Sequence, residues 1–263
     1  MKSFLLNRCL IGMVHVGPLP GTPRSNHSVE HVIQQAVAEA KALETAGFGA
    51  ILIENMHDTP YLKMKVGPEI TAAMAVVGEE IRKVTQLPIG VQILAGANEA
   101  ALSVAQAIGA DFIRVEGFVF SHVADEGFID SCAGTLLRLR KELGCESIRI
   151  LADIKKKHSS HSITSDISIA ETAEAAHFFG ADGVILTGTS TGRPASIEEL
   201  DEVKATVQIP VLIGSGITPQ NISQFRKADG WIVGSFLKHS KDWRNAFNPS
   251  ALTEIVKAAT DLH

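Results

Sequence analysis

The chain has 263 residues, 45% of them hydrophobic and 20% charged, which is the size and composition of a globular protein with a large core. A net charge of -5 argues against a protein that holds nucleic acid by general attraction to its phosphates, so any anion site must be local. Cys9, Cys132 and Cys145 are too few and too scattered for a disulfide framework or a zinc knuckle, and no apolar run is long enough to span a membrane. These features point to a reducing compartment, and the cytoplasm is the expected location. Met1–Cys9 is too short for a typical targeting segment, although Arg8 and the lack of acids there leave open an organellar protein trimmed of its presequence.

Along the chain, short apolar runs alternate with helical patterns. Leu10–Val16 reads as the first strand, and Ser28 then opens an apolar-periodic helix through Leu43. Further strands are expected at Ala50–Glu54, Ile89–Leu94, Phe112–Glu116, Ile148–Asp153, Gly183–Thr187, Val211–Gly214 and Gly230–Val233. All are rich in Val and Ile, as parallel strands covered on both faces are. Ser168 with Glu171, and Ser196 with Glu199, have capping-box spacing. Thr218-Pro219 and Asn248-Pro249 each put a capping side chain before proline at a first helical position. Gly47, Gly109 and Gly180 join helix ends to strands, where a left-handed cap suits glycine. With the Gln86-Leu-Pro and Gln208-Ile-Pro joints they form a weak internal repeat, explained equally by half-barrel duplication and by shared joint chemistry. Strands regularly followed by room for a helix define an α/β protein, a single (β/α)8 or TIM barrel over residues 1–263.

Helix-to-strand joints are tight, whereas the long loops follow strands: Val16–Ser28, Asn55–Gly67, Gly117–Asp130, Lys155–Ser168 and Gly188–Ala195. In a barrel these loops crowd the C-terminal face, where active sites sit. Two apolar runs late in the chain break into Gly-Ser, at Gly214-Ser215-Gly216 and Gly234-Ser235, the second leading into a short helix start at Phe236-Leu237-Lys238. Exposed amides in such turns hold anions, and loops after strands 7 and 8 are the usual phosphate site of a barrel.

Ionisable and polar residues gather where the strands end. His15, Glu54, Arg114, Glu116, Asp153 and Lys155 are the catalytic candidates. Side chains two apart on a strand share a face, which pairs Arg114 with Glu116 and Asp153 with Lys155. A lysine beside an acid there can bind an anion, act as acid or base, or form a Schiff base if its pKa falls. Asn55, Gln92, His158, Thr187 and Arg193 join the two Gly-Ser turns as candidate substrate contacts; His158 belongs to the basic run Lys155-Lys-Lys-His158 and Arg193 to the hydroxyl-rich loop Gly188–Pro194. Each has a plainer reading: His15 as a structural histidine, Arg114–Glu116 as a packing ion pair, the basic run as solvated surface. His15, Glu54, His57, Asp58 and Asp153 could ligate a metal, but no two histidines lie close on one strand, so no metal is expected. Gly214-Ser-Gly216 is too short for a dinucleotide fingerprint, and no cofactor is expected.

With these residues in view, the chain resembles the BtpA family, which includes SgcQ-type proteins. The resemblance rests on Ile11-Gly-Met-Val-His-Val-Gly-Pro-Leu-Pro-Gly21, Glu54-Asn-Met-His-Asp58, Gly90-Val-Gln-Ile-Leu94, Ile113-Arg-Val-Glu116, Leu151-Ala-Asp-Ile-Lys-Lys-Lys-His158, Leu186-Thr-Gly-Thr-Ser-Thr-Gly192 and Gly234-Ser-Phe-Leu-Lys238. Gln92 departs from the asparagine of many relatives. The resemblance implies a ribulose-phosphate-binding type of barrel; one member class is named for photosystem I biogenesis, and others sit among carbohydrate-utilisation genes. It supplies a fold rather than a reaction. Taken together, the expectation is an enzyme for a small phosphorylated metabolite, a sugar or nucleoside phosphate, with isomerase, lyase and glycosidic-cleavage chemistry all open. The alternatives are a non-enzymatic photosystem I biogenesis factor and a barrel that senses a phosphometabolite. Self-association through the outer helices is also expected.

Overall fold

The computed structural model describes residues 8–188 and 192–262. Strands β1 (Cys9–His15), β2 (Ala50–Glu54), β3 (Ile89–Gln92), β4 (Phe112–Val115), β5 (Arg149–Asp153), β6 (Gly183–Leu186), β7 (Val211–Ile213) and β8 (Gly230–Val233) close into a parallel barrel in chain order. Closure is made by β8 against β1, with Ile11 opposite Ile232. The strand expectations hold, but several runs leave the ladder early: Glu116, Thr187 and Gly214 lie just past their strands.

Around the barrel run helices α1 (Val29–Ala46), α2 (Pro68–Arg82), α3 (Asn98–Ala107), α4 (Ala133–Glu142), α5 (Ile169–Phe178), α6 (Ile197–Thr206) and α7 (Pro249–Thr260). Their starts follow the capping chemistry. Ser28 Oγ accepts from the His31 N–H, Ser168 and Glu171 close a reciprocal capping box, Ser196 accepts from the Glu199 N–H, and Asn248 caps a helix with proline at its start. Thr218-Pro219 differs: no α-helix begins there, and the segment before β8 holds only the 3-10 turn Ile222–Phe225. The reason is Asn221, whose Oδ1 accepts from the Thr218 N–H at 2.8 Å while its Nδ2 donates to the Gly216 carbonyl at 2.9 Å. This side chain folds the loop back on itself before a helix can start.

Strand parity divides the core. Inward-facing Cys9, Ile11, Met13, Ala50, Leu52, Phe112, Leu151, Ile185, Leu212 and Ile232 fill the barrel. Their neighbours along each strand pack outward against the helices in a second, larger cluster. Gly90 is required inside: a Cβ there would lie 2.2 Å from the Phe112 ring, which takes the space instead.

One element was not legible as such. The loop after β4 forms a hairpin, His122–Ala124 with Gly127–Ile129, and Ser159–Ser160 from the loop after β5 pairs with it. This small antiparallel sheet is built from loops that follow adjacent barrel strands β4 and β5. The expected loop Gly188–Pro194 is described only in part, since Thr189, Ser190 and Thr191 lie outside the described residues.

Candidate active site

The parity that fills the barrel also builds the site. Two residues beyond the inward Met13, Leu52, Gly90, Phe112, Leu151, Leu212 and Ile232 come His15, Glu54, Gln92, Arg114, Asp153, Gly214 and Gly234, all lining one cavity of about 590 Å³. Ionisable groups from β2, β4 and β5 thus occupy one side of this top layer, and glycines from β7 and β8 leave room on the other. Glu116, His158, Arg193, Ser215, Gly216 and Ser235 also line it. So do Lys156 and Lys157 of the basic run, together with Asp125, Glu126, Tyr61 and Trp243, which the sequence did not single out. For the acids a signal existed: Asp125-Glu126 joins two short runs before a glycine, which is hairpin-turn chemistry. Tyr61 and Trp243 carried no such mark.

On the ionisable side, Arg114 grips Asp153 through two bonds, Nε to Oδ2 at 2.8 Å and Nη2 to Oδ1 at 3.0 Å, with both side chains buried. Arg114 is therefore a partner of Asp153 rather than of Glu116. Burial works against the guanidinium charge, but Asp153, joined by Glu54 and Glu116, raises the Arg114 pKa above its usual range. Glu116 receives the Gln92 Nε2–H at 3.3 Å and lies 3.6 Å from Lys156 Nζ, which also reaches Glu126 at 3.5 Å. Burial pushes Glu116 up to about 7 despite Lys156, so it holds or yields a proton near neutrality. Glu54 is raised as well, by burial first, with Arg114 opposing. His15 lies 3.9 Å from Glu54 and is pushed down to about 3, by burial first and then by Lys238. Lys238 is itself buried against Glu39 and the Phe247 ring. At neutral pH His15 is thus an uncharged donor or acceptor.

Three of the catalytic and substrate-contact candidates, Asn55, Thr187 and Lys155, lie outside the cavity lining. Asn55 ties two loops together, donating to Asp58 Oδ2 at 2.9 Å and accepting from the Leu94 N–H at 2.8 Å. Asp58 also accepts from the Leu19 N–H at 2.8 Å, so its carboxylate is spent on loop structure. Thr187 donates to the Lys155 carbonyl. The Lys155 side chain pairs with Glu199 at the start of α6. Its expected shared face with Asp153 assumes a continuing strand, but the β5 ladder stops at Asp153 and the parity lapses. Among the described residues, no group of three or more His, Cys, Asp or Glu side chains is placed to hold a metal ion.

On the glycine side, pairing of β7 with β8 brings the two Gly-Ser turns together. Gly214 donates its N–H to the Leu186 carbonyl at 2.7 Å, extending the ladder. Ser215 Oγ is fully engaged, accepting from the Gly188 N–H at 2.9 Å and donating to the Arg193 carbonyl at 2.8 Å. No described residue accepts from the backbone N–H of Ser215, Gly216, Gly234 or Ser235. Gly216 has φ +70°, and a Cβ there would sit 2.2 Å from the Pro194 nitrogen, so only glycine lets the two loops meet.

A closed parallel barrel with a cavity at the carboxyl ends of its strands, ringed by ionisable residues, belongs to the (β/α)8 class whose sites lie on that face. Within that class the chain belongs to the BtpA family, whose model matches residues 6–261. It is 46% identical to the uncharacterized mitochondrial protein F13E9.13 of Caenorhabditis elegans, over 96% of this chain and 93% of that one. It is 34% identical to the photosystem I biogenesis protein BtpA of Synechocystis, over 99% and 91%. Among solved structures it is similar to phosphoribosyl anthranilate isomerase from Thermus thermophilus, with a TM-score of 0.60 and 12% identity, covering 97% of this chain and 100% of that one. That likeness shows the barrel fold. No helix among the described residues is long and apolar enough to cross a membrane.

Proposed function

We propose that this barrel is an enzyme acting on a small phosphorylated metabolite, whose phosphate lies on the turns after β7 and β8. The supporting observation is the set of amides at Ser215, Gly216, Gly234 and Ser235, which no described residue accepts from, on adjacent turns of one cavity. Such amides hold an anion without needing net positive charge. An anchored phosphate would fix the rest of the molecule across the mouth, against Glu54, Glu116 and the Arg114–Asp153 pair. Glu116 and Glu54 then serve as the acid–base groups, neutral His15 as a hydrogen-bonding partner, and Arg114 as a fixed positive dipole that Asp153 holds in place. The phosphate carried by the ligands of structurally similar barrels supports the same reading by analogy of fold.

The test is calorimetric titration with ribose 5-phosphate against ribose, on the parent and on two variants. Ser235→Ala keeps the amide and is expected to bind like the parent. Ser235→Asp places a carboxylate at the cup and is expected to weaken binding by at least about tenfold. Equal binding of ribose and its phosphate, or indifference to Ser235→Asp, would overturn the proposal. The name of the Synechocystis relative favours a second reading, a biogenesis factor that uses the barrel as a sensor or platform. That reading expects binding with no turnover of any phosphorylated sugar and no loss of its role in Glu116→Gln.

A further inference from the structure

The run Lys155-Lys156-Lys157 is uniform in sequence, but the fold gives its members different surroundings. Lys155 is turned to Glu199, outside the cavity. Lys156 lines the cavity between two carboxylates, Glu116 at 3.6 Å and Glu126 at 3.5 Å, and these hold it charged against burial. Lys157 also lines the cavity, yet among the described residues it has no ion-pair partner within 4.0 Å and no hydrogen bond. Of the carboxylates around it, Asp153 is committed to Arg114 and Glu116 to Gln92 and Lys156, while Glu54 faces His15 at 3.9 Å and stands farther than 4.0 Å from Lys157. Burial and the neighbouring Arg114 both lower its pKa, with Glu54, Asp153 and Glu116 opposing more weakly. An amine with these surroundings loses its proton more readily than an exposed lysine, and the neutral form is a nucleophile.

We propose that Lys157 forms an imine with the carbonyl carbon of the bound metabolite, which makes the substrate class a phosphorylated aldehyde or ketone. The inference rests on the phosphate reading only for the ligand's far end. In the addition, the lone pair of Nζ attacks the carbonyl carbon, a C–N bond forms, and the C=O π pair moves to oxygen, which takes a proton. Loss of that oxygen as water, with a proton supplied by an acid such as Glu116, leaves the protonated imine. The hydroxyl proton of the intermediate comes from the attacking nitrogen, so the net change is neutral amine plus carbonyl plus the acid's proton giving protonated imine plus water, with no oxidant or reductant. An imine at this position withdraws electrons from the adjacent carbon, which carboxylates across the mouth can then deprotonate or reprotonate.

Reductive trapping tests this directly. The whole protein is treated with glycolaldehyde phosphate and sodium cyanoborohydride, which adds hydride to an imine and leaves a stable secondary amine, heavier by the aldehyde less one oxygen. Peptide mapping is expected to place the adduct first at Lys157, on the order of tenfold or more faster than at exposed Lys41. Lys157→Met and Lys157→Arg should lose the fast phase while keeping the parent circular dichroism spectrum. Labelling of Lys157 no faster than Lys41, or a fast phase that survives in both variants, would overturn the assignment; mapping of the unmutated protein settles this even if a variant misfolds. Glycerol 3-phosphate, which has no carbonyl, separates the two ideas. Its binding, seen by phosphorus NMR, with no fast labelling leaves the phosphate cup standing and removes the imine. Fast labelling by glycolaldehyde and its phosphate alike, with no binding of glycerol 3-phosphate, does the reverse.

Discussion

At the scale of single residues, Arg114 and Asp153 form the closest ion pair among the described residues lining the cavity, at 2.8 Å. Both side chains are buried, so neither charge tolerates loss of the other. Arg114→Met should destabilise the protein by about 3–5 kcal/mol in urea denaturation, because it strands a buried carboxylate. Arg114→Met with Asp153→Leu should recover most of that loss while abolishing any activity. Glu116 makes a pH-dependent prediction. Its folded-state pKa of about 7 lies above the ordinary 4.5, so the protonated carboxyl favours the fold. That contribution is complete below about pH 4.5 and disappears as pH rises through 7. Glu116→Gln should therefore match the parent in Tm near pH 4.5 and exceed it at pH 8; a gap that does not widen with pH would remove the claim. The three lysines show what sequence could not tell at this scale. Their identity and position over the mouth were legible. That Lys156 and Lys157 enter the cavity and Lys155 does not depends on where the β5 ladder ends, and that is set by pairing with β6.

At the scale of elements, strands and caps were readable because their causes are local. The Ser168–Glu171 box needs only its own four-residue spacing, and Asn248-Pro249 needs only its own backbone. The turn after β7 depends instead on a neighbour from another loop. Gly216 fits because its left-handed φ and missing Cβ admit the backbone at Pro194, and Ser215 stitches the same two loops. Gly216→Ala should separate them, lowering Tm by several degrees and weakening phosphate binding, whereas Gly192→Ala changes a glycine whose Cβ would meet nothing within 4 Å. Differential scanning calorimetry of the two variants compares a strained and crowded site with a merely strained one. The hairpin His122–Ile129 escaped the sequence because its strands have three residues each, too short for a period to register.

At the scale of the whole molecule, the barrel interior and the barrel–helix layer are separate cores joined by one set of strands. Leu151, fully buried inside the barrel, should cost about 2–5 kcal/mol when cut to alanine, while exposed Ile163 should cost under about 0.5 kcal/mol. Trp231 is a suitable reporter, being buried outside the barrel with its Nε1–H on the Phe225 carbonyl at 3.2 Å. Trp243 lines the cavity and should respond to ligand rather than to early unfolding. Leu151→Ala shifting the Trp231 signal and circular dichroism together would show that the two cores melt as one unit.

The order of alternating apolar runs, glycines and capping residues was enough to dictate a parallel eight-stranded barrel, because strand parity, buried apolar surface and local backbone preferences all act within a few residues. The same order marked the charged ends of the strands. Partnership among those charges was decided only in three dimensions: Arg114 took Asp153, Lys156 took Glu116, Lys155 left for Glu199, and among the described residues Lys157 has no carboxylate within 4.0 Å. Coulomb energy and desolvation depend on distances between side chains that are tens of residues apart in the chain, and barrel closure fixes those distances.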